Sequence, residues 1–315
     1  MTVKADVIIP THDHANLLPM SIESACAQSV GDIRIVVIGD GVGDDTRAVM
    51  EQVLSRDDRV TFLDLPKAER TGEIHRHPII TNSSAQIITY LGDDDLMFPD
   101  HVATMSELLD NADVAMPPMI HLMPDGSVAC SSHSLSDPKW KSVACEGTSL
   151  FSLSGLSHTM EAYRKLPYGW RNTPEGYYTD QYMLLQYLEQ DWCRFALAHK
   201  PTVVNLASSL RVSMNPAQRF DELKSTQLWM AQGGWEEFRG LAFDSLRDQL
   251  SVSTFRLIEF SAALEQTHKV LAEVSAAAEQ LRSEQSKLLA TRTFRLRNTL
   301  INNQFVRFLA KLRRS

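Results

Sequence analysis

Leu91-Gly92-Asp93-Asp94-Asp95-Leu96-Met97-Phe98-Pro99 directly follows Gln86-Ile87-Ile88-Thr89-Tyr90. The preceding run is apolar, β-branched and aromatic and reads as a buried strand, so three carboxylates emerge together at a strand's end. Like charges this close raise one another's pKa and oppose folding unless a cation sits among them. Oxygen ligands on a short loop suit Mg2+ or Mn2+, which bind through one or two carboxylates and complete their shell with water and phosphate. Taken alone, Asp-Asp-Asp is more often a solvated turn that caps the next helix, here near Pro99. The strand ahead of it and the rest of the chain shift the reading toward a metal.

Upstream, Val7-Ile8-Ile9-Pro10 is a short strand, and Asn16 to Ala27 carries Leu17, Leu18, Ile22 and Ala25 at helical spacing. Ile33 to Ile38 is nearly continuous in apolar residues, as expected of a parallel strand covered on both faces. Asp44 or Asp45 caps a helix through Leu54, Val60 to Leu65 gives a third strand, and Ile79 to Ala85 a further helix. This alternation is a doubly wound α/β half, in which ligands sit at the carboxyl ends of the strands. There lie Thr11, His12 and Asp13 after the first strand, Asp40 after the second and Asp93 to Asp95 after the fourth. Gly39-Asp40-Gly41-Val42-Gly43 fails as a dinucleotide fingerprint, because its third glycine would fall at Asp44. A carboxylate at Asp40 suits a base N–H or a ribose hydroxyl better than phosphate.

The chain has 315 residues, enough for one large domain plus an appendage, and a net charge of -8 that disfavours nucleic acid as a partner. It lacks an apolar run of membrane-spanning length, and its first residues lead into a strand and not a signal peptide. Cys26, Cys130, Cys145 and Cys193 show no metal or redox spacing, which argues for free thiols in a reducing compartment. The expectation is a cytoplasmic protein.

Ile8-Ile9-Pro10-Thr11-His12-Asp13, then Val36-Val37-Ile38-Gly39-Asp40-Gly41 with Asp44-Asp45-Thr46, then Ile88 to Asp95 followed by Pro99, resemble the three successive motifs of family 2 glycosyltransferases. The likeness is firm over about the first hundred residues and looser to about residue 215. It implies the GT-A fold, an α/β doubly wound, Rossmann-like mixed sheet, here with a C-terminal helical extension. It further implies that Pro10, Thr11 and His12 line a nucleotide, that Asp40 binds its base or ribose, that Arg76 reaches the nucleotide and that Asp93 touches the ribose. Asp94, with Asp95 beside it, would hold Mn2+ or Mg2+. Gly39 and Gly92 stand where the family commonly has aspartate, implying fewer protein oxygens on the metal.

The same resemblance makes Asp180 the base that deprotonates the acceptor, and a direct attack of that kind inverts the anomeric centre. By periodicity Asp180 lies at the start of a helix carrying Met183, Leu184 and Leu188, where an aspartate also simply stabilises the dipole. Glu175 is the runner-up base. His158 falls where the family lines the sugar pocket, though a lone histidine is more often structural. Ser213 stands near a position where relatives place a metal- or phosphate-binding histidine. Trp170, Tyr177 and Tyr178 offer rings for stacking on sugar or for packing. The irregular stretch Pro117 to Gly147 suits the acceptor side.

The expected organisation is a glycosyltransferase domain over 1–215, a helical extension over 216–255, a long helix or coiled coil over 256–290 and a basic amphipathic tail over 291–315. Trp229, Trp235, Phe238 and Leu241 are expected to pack on the main domain. From Leu257 apolar residues recur as heptads, which implies a coiled coil and with it a homodimer; a long helix folded back on the domain accounts for the pattern nearly as well. The tail has seven basic residues and no acidic one, with Phe294, Ile301, Phe305, Phe308 and Leu312 on one face. It reads as an anchor to an anionic membrane surface at the inner face, against a partner-binding or solvated tail. The function expected is transfer of a sugar from a nucleotide-diphosphate sugar to a saccharide or lipid-linked acceptor in cell-surface polysaccharide synthesis. The alternative is a catalytically inactive nucleotide-sugar-binding scaffold of a polysaccharide assembly complex.

Overall fold

The computed structural model describes residues 3–146 and 151–313. It divides into two units, Met1–Asp248 and Gln249–Ser315. The first unit opens with β1 (Ala5–Thr11), α1 (Leu18–Cys26), β2 (Ile33–Asp40), α2 (Asp44–Leu54), β3 (Val60–Leu65), α3 (Glu73–Thr81), β4 (Ile87–Tyr90) and β5 (Leu96–Met97). It continues with α4 (His101–Leu109), β6 (Val114–Met116), β7 (Met119–Leu122), β8 (Val128–Ser131), α5 (Pro138–Cys145), β9 (Ser157–Thr159), α6 (Met160–Arg164), α7 (Thr179–Leu188), β10 (Phe195–Leu197) and β11 (Val203–Asn205). Then come α8 (Pro216–Trp229) and the start of α9 (Trp235–Ala290).

The central sheet has the order β10-β6-β9-β4-β1-β2-β3, with β9 antiparallel to both its neighbours. β1, β2 and β4 are buried on both faces, which explains their continuous apolar sequences. β1 pairs with β2 on one side and β4 on the other, all parallel, so the strand order reverses at β1 and the carboxyl ends of all three meet at one edge. That reversal is where open α/β sheets bind ligands. One core layer sits under α1 and α4, built on Leu18, Ile22, Val102 and Met105, and the other under α6 and α7, built on Tyr163, Met183, Leu184 and Tyr187.

A second sheet, β5-β11-β7-β8, begins immediately after the triple-aspartate turn. The turn therefore joins the two sheets, with β4 ending at Tyr90 in the first and β5 starting at Leu96 in the second. α8 and the first turns of α9 cover the second sheet, packing Leu223, Met230, Phe238 and Ala242 on Leu96, Phe98, Ile120 and Val204. Two ion pairs fasten this cover. Arg211 binds Glu222 at 2.6 and 2.7 Å, and Arg239 binds Asp100 at 2.7 and 2.8 Å with Lys200 on the same carboxylate. The turn between α8 and α9 relies on Gly233 at φ 91°, a left-handed conformation that a side chain would strain.

Three expectations need correction. The helix after β3 begins at Glu73 and ends at Thr81, so Arg76 is on the helix and not ahead of it. The expected start is Ile79, but the buried Glu73 carboxylate starts the helix earlier by accepting the Thr71 amide at 2.9 Å and the Thr173 amide at 2.8 Å. Burial opposes that charge, yet the amides outweigh it and hold the group down at about 2. Leu241 is 40% exposed, whereas Trp229, Trp235 and Phe238 do pack on the unit. Trp170 is buried, its indole N–H donating to the Tyr90 hydroxyl at 2.8 Å, so it is core and not a sugar platform.

In the second unit α9 continues unbroken to Ala290, and from Gln249 onward every described side chain is exposed. Thr291 adopts an extended conformation that ends it, and α10 (Arg292–Leu312) follows. Among the described residues no helix is long and apolar enough to cross a membrane. Gly147, at the end of the expected acceptor stretch, and Arg314 of the tail lie outside the described residues.

Candidate active site

Each strand end at the reversal delivers a short loop. β1 supplies Thr11 to His14, β2 supplies Asp40 and β4 supplies the three aspartates. Asp40 is buried; its carboxylate accepts from Lys67 Nζ and, at 2.6 Å, from the Ala68 amide, with His75 Nε2 at 3.3 Å. Burial opposes its charge, but Lys67 and the amide prevail and keep its pKa below the ordinary carboxylate range. Gly72 lies against it with φ 73°, and a Cβ there would meet the Asp40 carboxyl at 2.8 Å. His12 is exposed, and its Nδ1–H donates to the Asp40 carbonyl at 2.7 Å, tying the first loop to the second. Pro10 is half-buried, and Thr11 is buried with an unpartnered hydroxyl.

The aspartates separate. Asp93 accepts from His14 Nδ1–H at 2.9 Å. Asp94 Oδ2 accepts from Ser208 Oγ at 2.5 Å and from Arg219 Nη2 at 2.7 Å, while Arg219 Nη1 donates to His14 Nε2 at 3.1 Å. His14, Asp93 and Asp94 present ligand atoms within 4.8 Å of one another. Two carboxylate oxygens and an imidazole nitrogen form a donor set that suits Mn2+ or Mg2+. That a guanidinium already sits on Asp94 shows the point attracts positive charge. Burial, then Asp93, raises the Asp94 pKa, and Ser208, His14 and Arg219 oppose the rise.

Asp95, expected beside Asp94 on the metal, has a different role. It is 2% exposed, and its oxygens accept from Asn205 Nδ2 at 2.9 and 3.1 Å, the Leu206 amide at 2.7 Å and Ser154 Oγ at 2.5 Å. With both oxygens so engaged it clamps the turn to β11, and burial followed by Asp94 pushes its pKa up to about 7.

Arg76, on α3, feels the charges of Glu73, Asp180 and Asp40. Its guanidinium is buried 4.4 Å over the Trp170 ring, and its Nε and Nη1 have no partner. Burial lowers its pKa. A buried guanidinium with free N–H groups calls for an anionic or carbonyl ligand. Asp180, in the first turn of α7, is raised above the ordinary range by burial, opposed by the Gln181 amide and, more weakly, by the Arg76 charge. The Leu153 backbone also bonds to Asp180, and the next residue, Ser154, bonds to Asp95, so one short segment links α7 to the triple-aspartate turn.

Two expected residues are elsewhere. His158 is fully buried on β9, accepting from Tyr90 Oη at 2.8 Å, donating to the Thr159 carbonyl at 3.1 Å and stacked on Tyr163. Burial depresses it to about 4, so it is a neutral histidine packed in the core. Glu175 is in an exposed turn. Ser213 is exposed also, and the side chains that reach Asp94 from this region are Ser208 and Arg219. Together with Asp13, His14 and Arg211 these two line a cleft of about 340 Å3 beside the aspartates.

A mixed α/β sheet with acidic and basic groups gathered at its reversal point defines a GT-A class of protein. The model of glycosyl transferase family 2 matches residues 6–164, half of the chain, and the chain belongs to that family. Among curated relatives, the GalNAc(5)-diNAcBac-PP-undecaprenol beta-1,3-glucosyltransferase of Campylobacter jejuni is 27% identical over 104 residues, 33% of this chain and 34% of that protein. Glycosyltransferase GlyA of Streptococcus pneumoniae is 26% identical over 102 residues, 32% of this chain and 14% of that protein. The match thus spans a third or less of these relatives. TarS 1–349 of S. aureus in complex with UDP-GlcNAc shares the fold with a TM-score of 0.52 at 14% identity, covering 65% of this chain and 59% of that one.

Proposed function

We propose that the protein is an inverting glycosyltransferase that moves a sugar from a nucleotide-diphosphate donor to a saccharide or lipid-linked acceptor in cell-surface polysaccharide synthesis. The observation that supports this is the gathering of His14, Asp93 and Asp94 within 4.8 Å of one another at the strand ends where Asp40 also lies, with the buried Arg76 under the influence of both the Asp40 and the Asp180 charge. Asp40 accepts donors from the base or ribose, and the unpartnered N–H groups of Arg76 hold the nucleotide. His14, Asp93 and Asp94 would hold a divalent cation, which would supply charge neutralisation for the departing diphosphate. Asp180 takes the proton of the acceptor hydroxyl as that oxygen attacks the anomeric carbon from the face opposite the leaving group. Its raised pKa makes it a stronger base than an ordinary aspartate.

A lipid-linked acceptor is supported by the undecaprenol-linked acceptor of the Campylobacter relative and by α10. Each cation held near anionic lipid contributes about 1 kcal/mol, and the exposed Phe294, Phe305 and Phe308 supply an apolar face to insert. We place the protein in the cytoplasm, at the inner membrane surface.

The test is turnover of a panel of nucleotide sugars with Mn2+. Release of nucleotide that depends on Mn2+ and falls by about a thousandfold in Asp94→Ala supports the reading. Nucleotide binding without turnover by any donor would instead support the scaffold.

A further inference from the structure

The free part of α9 exposes a continuous apolar seam. From Leu250 to Leu288 the core positions recur every seven residues, and the large ones among them, such as Phe260 at 69% and Leu264 at 46%, have no cover. A seam repeating at 3.5 residues per turn needs a second helix with the same period. We infer that this helix is α9 of a second copy of the chain, running antiparallel, with Leu264 of one copy against Val274 of the other.

That register is singled out by the side chains themselves. It sets Phe260, the largest core residue, against Ala278, the smallest, and so fills space that like-on-like pairing leaves empty or overfull. It sets Gln285 against Ser253, so the two most polar interruptions meet each other and not an apolar residue. At the edge of the seam it brings Arg256 beside Glu284 of the other copy, and twofold symmetry makes this pair twice. Parallel in-register pairing places Phe260 on Phe260 and Ala278 on Ala278, and it faces Arg256 with Ser261. Sliding the antiparallel register by one heptad either way separates Arg256 from Glu284 and buries Gln285 against Phe260 or Leu246. The dyad of the preferred register falls at Lys269, midway between Gln249, where the second unit begins, and Leu289, one residue before α9 ends. The self-complementary stretch therefore coincides with the exposed stretch of α9, about 60 Å of helix.

The experiment uses the full chain. Sedimentation equilibrium is expected to show a dimer. Under mild oxidation, a mixture of Leu264→Cys and Val274→Cys proteins is expected to form a disulfide between positions 264 and 274, identified by peptide mass, whereas Leu264→Cys alone forms none at that position. Arg256→Glu is expected to weaken dimerisation about tenfold through two repulsive contacts, and adding Glu284→Arg to restore it. A monomer at all concentrations, a 264–264 disulfide as parallel pairing demands, or failure of the double substitution to restore the dimer would each overturn the inference.

Discussion

Asp93 and Asp94 gather with His14, while Asp95, one peptide further on, turns into the seam between the two sheets and is held there by Asn205, Ser154 and Leu206. Replacing Asp95 with alanine leaves these buried donors unmatched and is expected to cost about 3 kcal/mol, lowering the melting temperature by several degrees. Asp94→Ala leaves two donors, Ser208 and Arg219, without their acceptor and should lower the melting temperature less than Asp95→Ala does, while removing Mn2+ binding. For Asp180→Asn the expectation is a 10²- to 10⁴-fold loss in kcat with little change in KM, read by steady-state kinetics. Because the base acts ionised and burial raises its pKa, the acid limb of kcat should lie above the ordinary aspartate range. Arg76→Met removes a cation that favours the charged form and should move that limb to higher pH. The carboxylates were legible in the sequence because their strand was. Their individual duties were not, since the direction of each side chain depends on what β11 and α8 place nearby. His158 misled for the same reason: its neighbours Tyr90 and Tyr187 come from distant segments.

At the scale of elements, β1, β2 and β4 could be read from the sequence pattern alone, because a parallel strand buried on both faces writes its burial into consecutive apolar residues. α8 gave no such signal of its role. Arg219 reaches Asp94 across 125 residues of chain, from a helix held by the Arg211–Glu222 pair, by Leu223 in the core of the second sheet and by Gln227 on Glu23. In this position its guanidinium competes with a metal ion for the same carboxylate. Arg219→Ala is accordingly expected to tighten Mn2+ binding, in the absence of nucleotide, by roughly three- to tenfold, followed by the electron paramagnetic resonance signal of free Mn2+. Weaker binding would show that the arginine supports the cation site and does not contest it.

For the whole molecule, charge is distributed unevenly. Seven of the chain's 31 basic residues fall after position 290, where there is no acidic one, so the remainder is more acidic than the net -8 indicates. Removing residues 291–315 is expected to abolish co-sedimentation with anionic liposomes while leaving nucleotide-sugar turnover on a soluble acceptor intact; unchanged sedimentation would discard the anchor. The seam on α9 and the face on α10 were both legible as periodicities, but a repeat states only that something covers it. The central claim concerns the first unit: that its strand ends hold a nucleoside diphosphate through a divalent cation. Crystals grown with Mn2+ and a nucleoside diphosphate, measured at the manganese absorption edge, test this directly. The account predicts an anomalous peak bounded by Asp94, Asp93 and His14, with the diphosphate on it and Arg219 displaced. A peak elsewhere, or nucleotide bound away from Asp40 and Arg76, would contradict it.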